Sequence, residues 1–180
     1  MGIAKRSRVI YYNPVNVSAE DMEGLTYEDL SDPKWKGRVA IRSSGNMYNQ
    51  SLVASLIANN GVDATEKWAH RFVGNFARKP EGNDRAQIMA VANGEADVAV
   101  ANSYYIGLML SGKKGEEQQA AARKVELHFP GQDGRGAHIN VSGAGLMKNA
   151  PNAGNAVKFI EFLLSEEAQS HIVNNTYEFP

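Results

Sequence analysis

Asp97-Val-Ala-Val-Ala-Asn-Ser-Tyr-Tyr-Ile-Gly107 is the stretch from which the fold is read. Asp97 to Asn102 is short, apolar, small and β-branched, with polar residues at both ends, the signature of a strand covered on both faces. Ser103 is a residue able to cap a following helix, which puts Tyr104 and Tyr105 in its first turn. The space beyond the carboxyl end of a buried strand is where an open α/β sheet keeps its binding crevice. A helix N-terminus there favours phenolate over phenol, and hard anionic oxygens suit a hard, highly charged cation. Two adjacent rings also suit core or interface packing, and this stretch alone leaves both readings open.

Working outward, Arg38 to Arg42 reads as a second buried strand. Ser43-Ser44-Gly45-Asn46 then leads into a helix that runs to about Asn59-Asn60-Gly61, with Leu52, Val53, Leu56 and Ile57 inward and Gly61 just past its end. Tyr48 falls in the first turn of that helix. If the two strands are parallel neighbours, all three phenols meet at one edge of the sheet. Asp63 with Glu66 makes a capping pair for the next helix, whose buried face is Trp68, Phe72 and Phe76. Asn83-Asp84 opens another helix, through Ile88, Met89 and Val91 to Asn93-Gly94.

At the near end, Arg8 to Tyr12 is a strand closed by Asn13-Pro14, and helical turns anchored by Leu25 and Leu30 follow. Beyond the tyrosine helix come a polar helix from Gly115 to about Lys124 and a strand from Val125 to Phe129. A turn-rich loop from Pro130 to Gly136 leads to a strand from His138 to Met147 that kinks at Gly143 and Gly145. Closing helices span Asn152 to Leu164 and Glu166 to Asn174, the first with Val157, Ile160, Phe162 and Leu163 inward in part. Strands alternating with helices predict an α/β fold, a three-layer lobe with a largely parallel central sheet flanked by helices.

Composition narrows the function. The 180 residues are 43% hydrophobic and 22% charged, enough for one well-buried domain. A formal net charge of −1 gives no electrostatic case for nucleic acid or an acidic membrane. No apolar run is long enough to insert in a bilayer, and Met1-Gly-Ile-Ala-Lys-Arg-Ser-Arg8 lacks the apolar core of a signal peptide. The absence of cysteine removes disulfides, thiolate metal sites and thiol nucleophiles together. His70, His128, His138 and His171 show no zinc-site spacing, and there is no nucleophile elbow, Walker loop or dinucleotide fingerprint. An enzyme therefore has little to stand on. Ser43, Ser44, Gly45 and Asn46 offer only a weak anion site, since the same residues are ordinary helix caps.

Three of these segments together carry a resemblance: Arg42-Ser-Ser-Gly-Asn-Met-Tyr-Asn-Gln-Ser51, Gly82-Asn-Asp-Arg-Ala-Gln87 and Asn102-Ser-Tyr-Tyr-Ile-Gly107. With Arg8 to Asn13, Leu30 to Gly37 and Asn140 to Gly145, they make the chain resemble the ferric-iron-binding proteins of bacterial ABC importers. It is most similar to the subgroup that holds iron mainly through tyrosines. The resemblance implies a class II periplasmic-binding-protein-like lobe, a periplasmic location for the parent family, and Fe³⁺ held by Tyr48, Tyr104 and Tyr105. It also implies an ABC permease as partner of the full-length protein. Members of that family are two-lobed, with iron in the cleft. Residues 1–180 are thus expected to be a single α/β lobe equivalent to the C-terminal one, with the partner lobe absent, as a natural truncation or an engineered fragment.

Tyr11 and Tyr12, on what the resemblance makes the strand crossing between lobes, are expected to pack in the core or at the hinge rather than to bind iron. Two other readings stay open. One is an isolated lobe binding an anion or small organic solute. The other is a scaffold or interaction domain that is monomeric or self-associates weakly through its exposed cleft face.

Overall fold

The computed structural model describes all 180 residues. Its strands are β1 (Gly2–Tyr12), β2 (Val39–Ile41), β3 (Val98–Asn102), β4 (Glu126–His128) and β5 (Ile139–Gly143). A short α1 (Ala19–Met22) precedes α2 (Met47–Asn60), α3 (Val62–Val73), α4 (Asp84–Ala92), α5 (Tyr104–Leu110) and α6 (Glu116–Ala122). The helices α7 (Ala153–Leu163) and α8 (Glu166–Thr176) close the chain. The sheet runs β2-β3-β1-β4, and β5 lies along the first half of β1.

Alternation along the strands builds three layers. Ile10, Tyr12, Val98 and Val100 face one cluster with Trp35, Leu52, Leu56, Trp68 and Phe72. Val9, Tyr11, Ala99 and Ala101 face the other, with Ile88, Val91, Met109 and Ala122. Successive strand residues point to opposite sides, so a sheet covered by helices on both must be apolar at every position. In β3 all five residues are buried. Aromatic stacking tightens the first layer: Trp68 and Phe72 lie 4.7 Å apart, and Phe72 meets Phe76 edge-on at 5.1 Å.

The α/β class and the flanking helices are as predicted, but the sheet is mixed rather than largely parallel. Only β2 and β3 run parallel. β1 is antiparallel to β3, β4 and β5. A strand buried on both faces has the same apolar composition whichever way its neighbours run, so direction does not show in it.

Local caps differ in instructive ways. Gly61, with φ of +82°, ends α2 and starts α3 at once, leaving Asp63 inside the helix and unable to cap it. The last predicted strand stops at Gly143, where an added Cβ would meet the Met1 carbonyl oxygen at 2.7 Å. The inward stripe expected on α7 is met only in part: Ile160 and Leu163 are half-buried, whereas Val157 and Phe162 are exposed, as is Phe159. Only α8 packs substantially against it.

Candidate metal centre

Because β2 and β3 are parallel neighbours, the segments leaving their carboxyl ends open on the same edge of the sheet. One leads through Ser43–Asn46 into α2, the other directly into α5. This brings Tyr48 to the side of Tyr104 and Tyr105. The Tyr104 and Tyr105 ring centroids are 4.2 Å apart, and all three side chains are half-buried. The Tyr104 phenol is pushed far above its ordinary value, first by burial and then by hydrogen bonding to Tyr105 and the proximity of the Tyr105 and Tyr48 oxygens. The Tyr104 phenol therefore resists ionisation.

Ser103 does not cap α5. Its backbone is already helical, and its hydroxyl accepts instead from the Ser7 amide at 3.2 Å. The Asn46 side chain does cap α2, accepting from the Tyr48 amide at 3.0 Å. Ser43 Oγ accepts from the Gly45 amide at 3.2 Å, while Ser43, Ser44 and Gly45 stay exposed.

Beneath the tyrosines lies a charged floor. Arg8 and Asp84 are both fully buried and 2.6 Å apart. Arg8 also donates to Asn49 Oδ1 at 2.6 Å, Asn102 Oδ1 at 3.1 Å and the Val100 carbonyl at 3.2 Å. Asp84 accepts from the Asn102 amide at 2.9 Å. With its Oδ1 on Arg8, Asn102 turns its amide nitrogen, which has no protein partner elsewhere, toward Tyr104. Asn49 lies on α2 beside Tyr48, and Val100 and Asn102 lie on the strand that leads to Tyr104 and Tyr105, so Arg8 and Asp84 tie the two tyrosine-bearing segments together.

Sequence reasoning brought the three tyrosines together but missed this floor. The available signal was Arg8 itself: a guanidinium in the otherwise apolar run Val9-Ile-Tyr-Tyr12 demands a buried acid. Asp84 was read as part of a cap, a role that Asn83 fills by accepting from the Ala86 amide. Tyr11 and Tyr12 are buried, as expected. Tyr11 donates to the Asn102 carbonyl at 2.9 Å, and Tyr12 donates to Glu126. A surface hollow of about 440 Å³ lies between Gly24–Glu28 and the Gly131–Gly136 loop, and none of the three tyrosines lines it. No cluster of three histidine, aspartate or glutamate side chains is placed to hold a metal.

Residues 2–180 match the family described as bacterial extracellular solute-binding protein. Iron uptake protein A1 of Synechocystis sp. is 56% identical over 179 residues, covering 99% of this chain and 49% of that protein. The Fe(3+)-binding periplasmic protein of Serratia marcescens is 30% identical, over 99% of this chain and 51% of its own length. Among solved structures, Trichodesmium FutA in complex with iron and citrate superposes with a TM-score of 0.95 at 53% identity, covering 100% of this chain and 56% of that one. The chain spans about half the length of the relatives it matches.

Proposed function

The chain belongs to the bacterial extracellular solute-binding proteins, and from that premise we propose that it is a ferric-iron half-site, with Fe³⁺ held by the phenolates of Tyr48, Tyr104 and Tyr105. The observation that carries this reading is the convergence of three phenols on one open edge, with Tyr104 held strongly protonated by burial and its neighbours. A ferric ion supplies the charge that reverses that preference, and three phenolates neutralise it. The names of the relatives point to the same cargo. The chemistry is capture without transformation. In the full-length protein the iron would be passed to an ABC permease.

Residues 1–180 act in this reading as one lobe of a two-lobed protein. Three phenolates leave positions of the ferric ion unfilled, to be taken by water, a small anion beside Ser43–Asn46, or groups from the other lobe. An isolated lobe therefore binds iron more weakly than a closed cleft, where exclusion of water strengthens each charged contact.

Titration with a chelated ferric salt tests the assignment. A phenolate-to-iron absorption band should grow in with release of protons and fall sharply in the Tyr104→Phe/Tyr105→Phe double variant, which removes two of the three oxygens. A band unchanged by the double replacement would place the iron elsewhere.

A further inference from the structure

We infer that Arg6 is a positioning residue for Tyr48, a role that rests on the phenolate reading above. Arg6 lies on β1 opposite Asn140 of β5, and its guanidinium carbon stands 5.5 Å from the centroid of the Tyr48 ring. The Tyr48 hydroxyl makes no hydrogen bond within the protein, so the contact on its face decides where the phenol points. A cation over an aromatic face is attracted by the ring quadrupole, and more strongly when partly desolvated. The Arg6 side chain is 13% exposed.

Arg6 is itself held firmly. It donates through Nη1 to Ser142 Oγ and to Glu178 Oε1, both at 2.6 Å, while its buried Nε bonds to nothing in the protein. Glu178 is fixed by the residues on either side of it. Phe179 exchanges backbone hydrogen bonds of 2.8 Å with Lys5. Tyr177 takes a left-handed backbone, φ +62°, and packs on Gly107 of α5, where a Cβ would come within 2.8 Å of its ring. Gly107 follows the tyrosine pair by one turn or less. Arg6 thus holds Tyr48 against a tail that is itself seated on the helix of Tyr104 and Tyr105.

A cycle of variants separates this role from simple pinning of the tail. Iron-loaded protein is mixed with excess citrate at fixed pH, and loss of the phenolate-to-iron band is followed by stopped flow. Arg6→Gln should release iron roughly tenfold faster, the size expected of a partly desolvated cation–ring contact, and should shift the band. Arg6→Lys, which keeps a cation, should recover part of the loss. In a Tyr48→Phe background Arg6→Gln should add nothing. An equal acceleration in both backgrounds, or none in either, would overturn the role.

An iron-free readout stands beside it. The Arg6 side-chain NH resonance should carry a ring-current shift that disappears in Tyr48→Leu, and a resonance that does not move would remove the contact itself. Should the wild-type protein show no phenolate band at all, it is the ferric reading that fails, while the resonance still reports on the Arg6–Tyr48 contact.

Discussion

Replacing Asp84 with alanine isolates the worth of the charged floor. The variant leaves the Arg8 guanidinium charged at zero side-chain exposure and without its acid. Breaking a buried pair from one side costs about 3–5 kcal/mol. Arg8 keeps three acceptors, on Asn49, Asn102 and Val100, which moves the estimate to the low end of that range. The Asn102 amide loses its acceptor too, adding about 1 kcal/mol or more. The total of about 4 kcal/mol is a large share of the 5–15 kcal/mol typical of a domain. Urea unfolding should show this as a lower midpoint with an unchanged slope. The double variant Arg8→Met/Asp84→Leu should be less damaged than Asp84→Ala alone, because no fully buried charge is left uncompensated and only the partly exposed Arg42 loses its 3.5 Å contact with Asp84. A single-variant loss under about 1 kcal/mol, or a double variant worse than the single, would refute the assignment of a buried, mutually dependent pair.

Acid should also weaken the fold through His138. Burial first, then the nearby Arg8 charge, hold this imidazole below its ordinary value of 6.5. The unfolded chain takes up the proton first, so stability falls as pH drops below about 6.5 toward the depressed folded value, and is untouched above. His138→Gln should flatten that limb of a pH series of thermal melts. Gly107→Ala should displace Tyr177 and make the last four residues more sensitive to limited proteolysis, at a cost of about 1–3 kcal/mol. Phe159→Ser, on a ring 60% exposed, should leave stability within about 0.5 kcal/mol while reducing binding of a hydrophobic dye.

The three-layer plan was legible because β1 and β3 are apolar at consecutive positions, which only a sheet covered twice requires. The meeting of Tyr48 with Tyr104 and Tyr105 was legible for a related reason: two strand–helix units each put tyrosine in a first turn, and parallel pairing did the rest. Strand direction was hidden, since Val9-Ile10 and Val98-Ala99 read alike in either orientation. The capping pair at Asp63 failed because Gly61 serves two helices at once. The stripe on α7 was genuine, but periodicity states that a face wants cover without saying what covers it. The floor escaped because Arg8, Asp84 and Asn102 are far apart in the chain, and only folding makes them neighbours.

β1 does two jobs along its length. Arg8 to Tyr12 is woven into the sheet between β3 and β4, whereas Gly2 to Ser7 pairs with β5 and, through Lys5, with Phe179 of the tail. At the changeover Ser7 is clasped on both sides by Ser103, its amide donating to the hydroxyl and its carbonyl accepting from the amide at 2.8 Å. This clasp stands one residue before Tyr104, so the two-stranded ribbon and the tail paired to it meet the tyrosine helix at a single point. Arg6 and Ser142 belong to the ribbon, while Tyr48 is tied to the sheet through Asn49 and its bond to Arg8. A shift of the ribbon relative to the sheet therefore registers first as a change in the spacing between a guanidinium and a phenol ring.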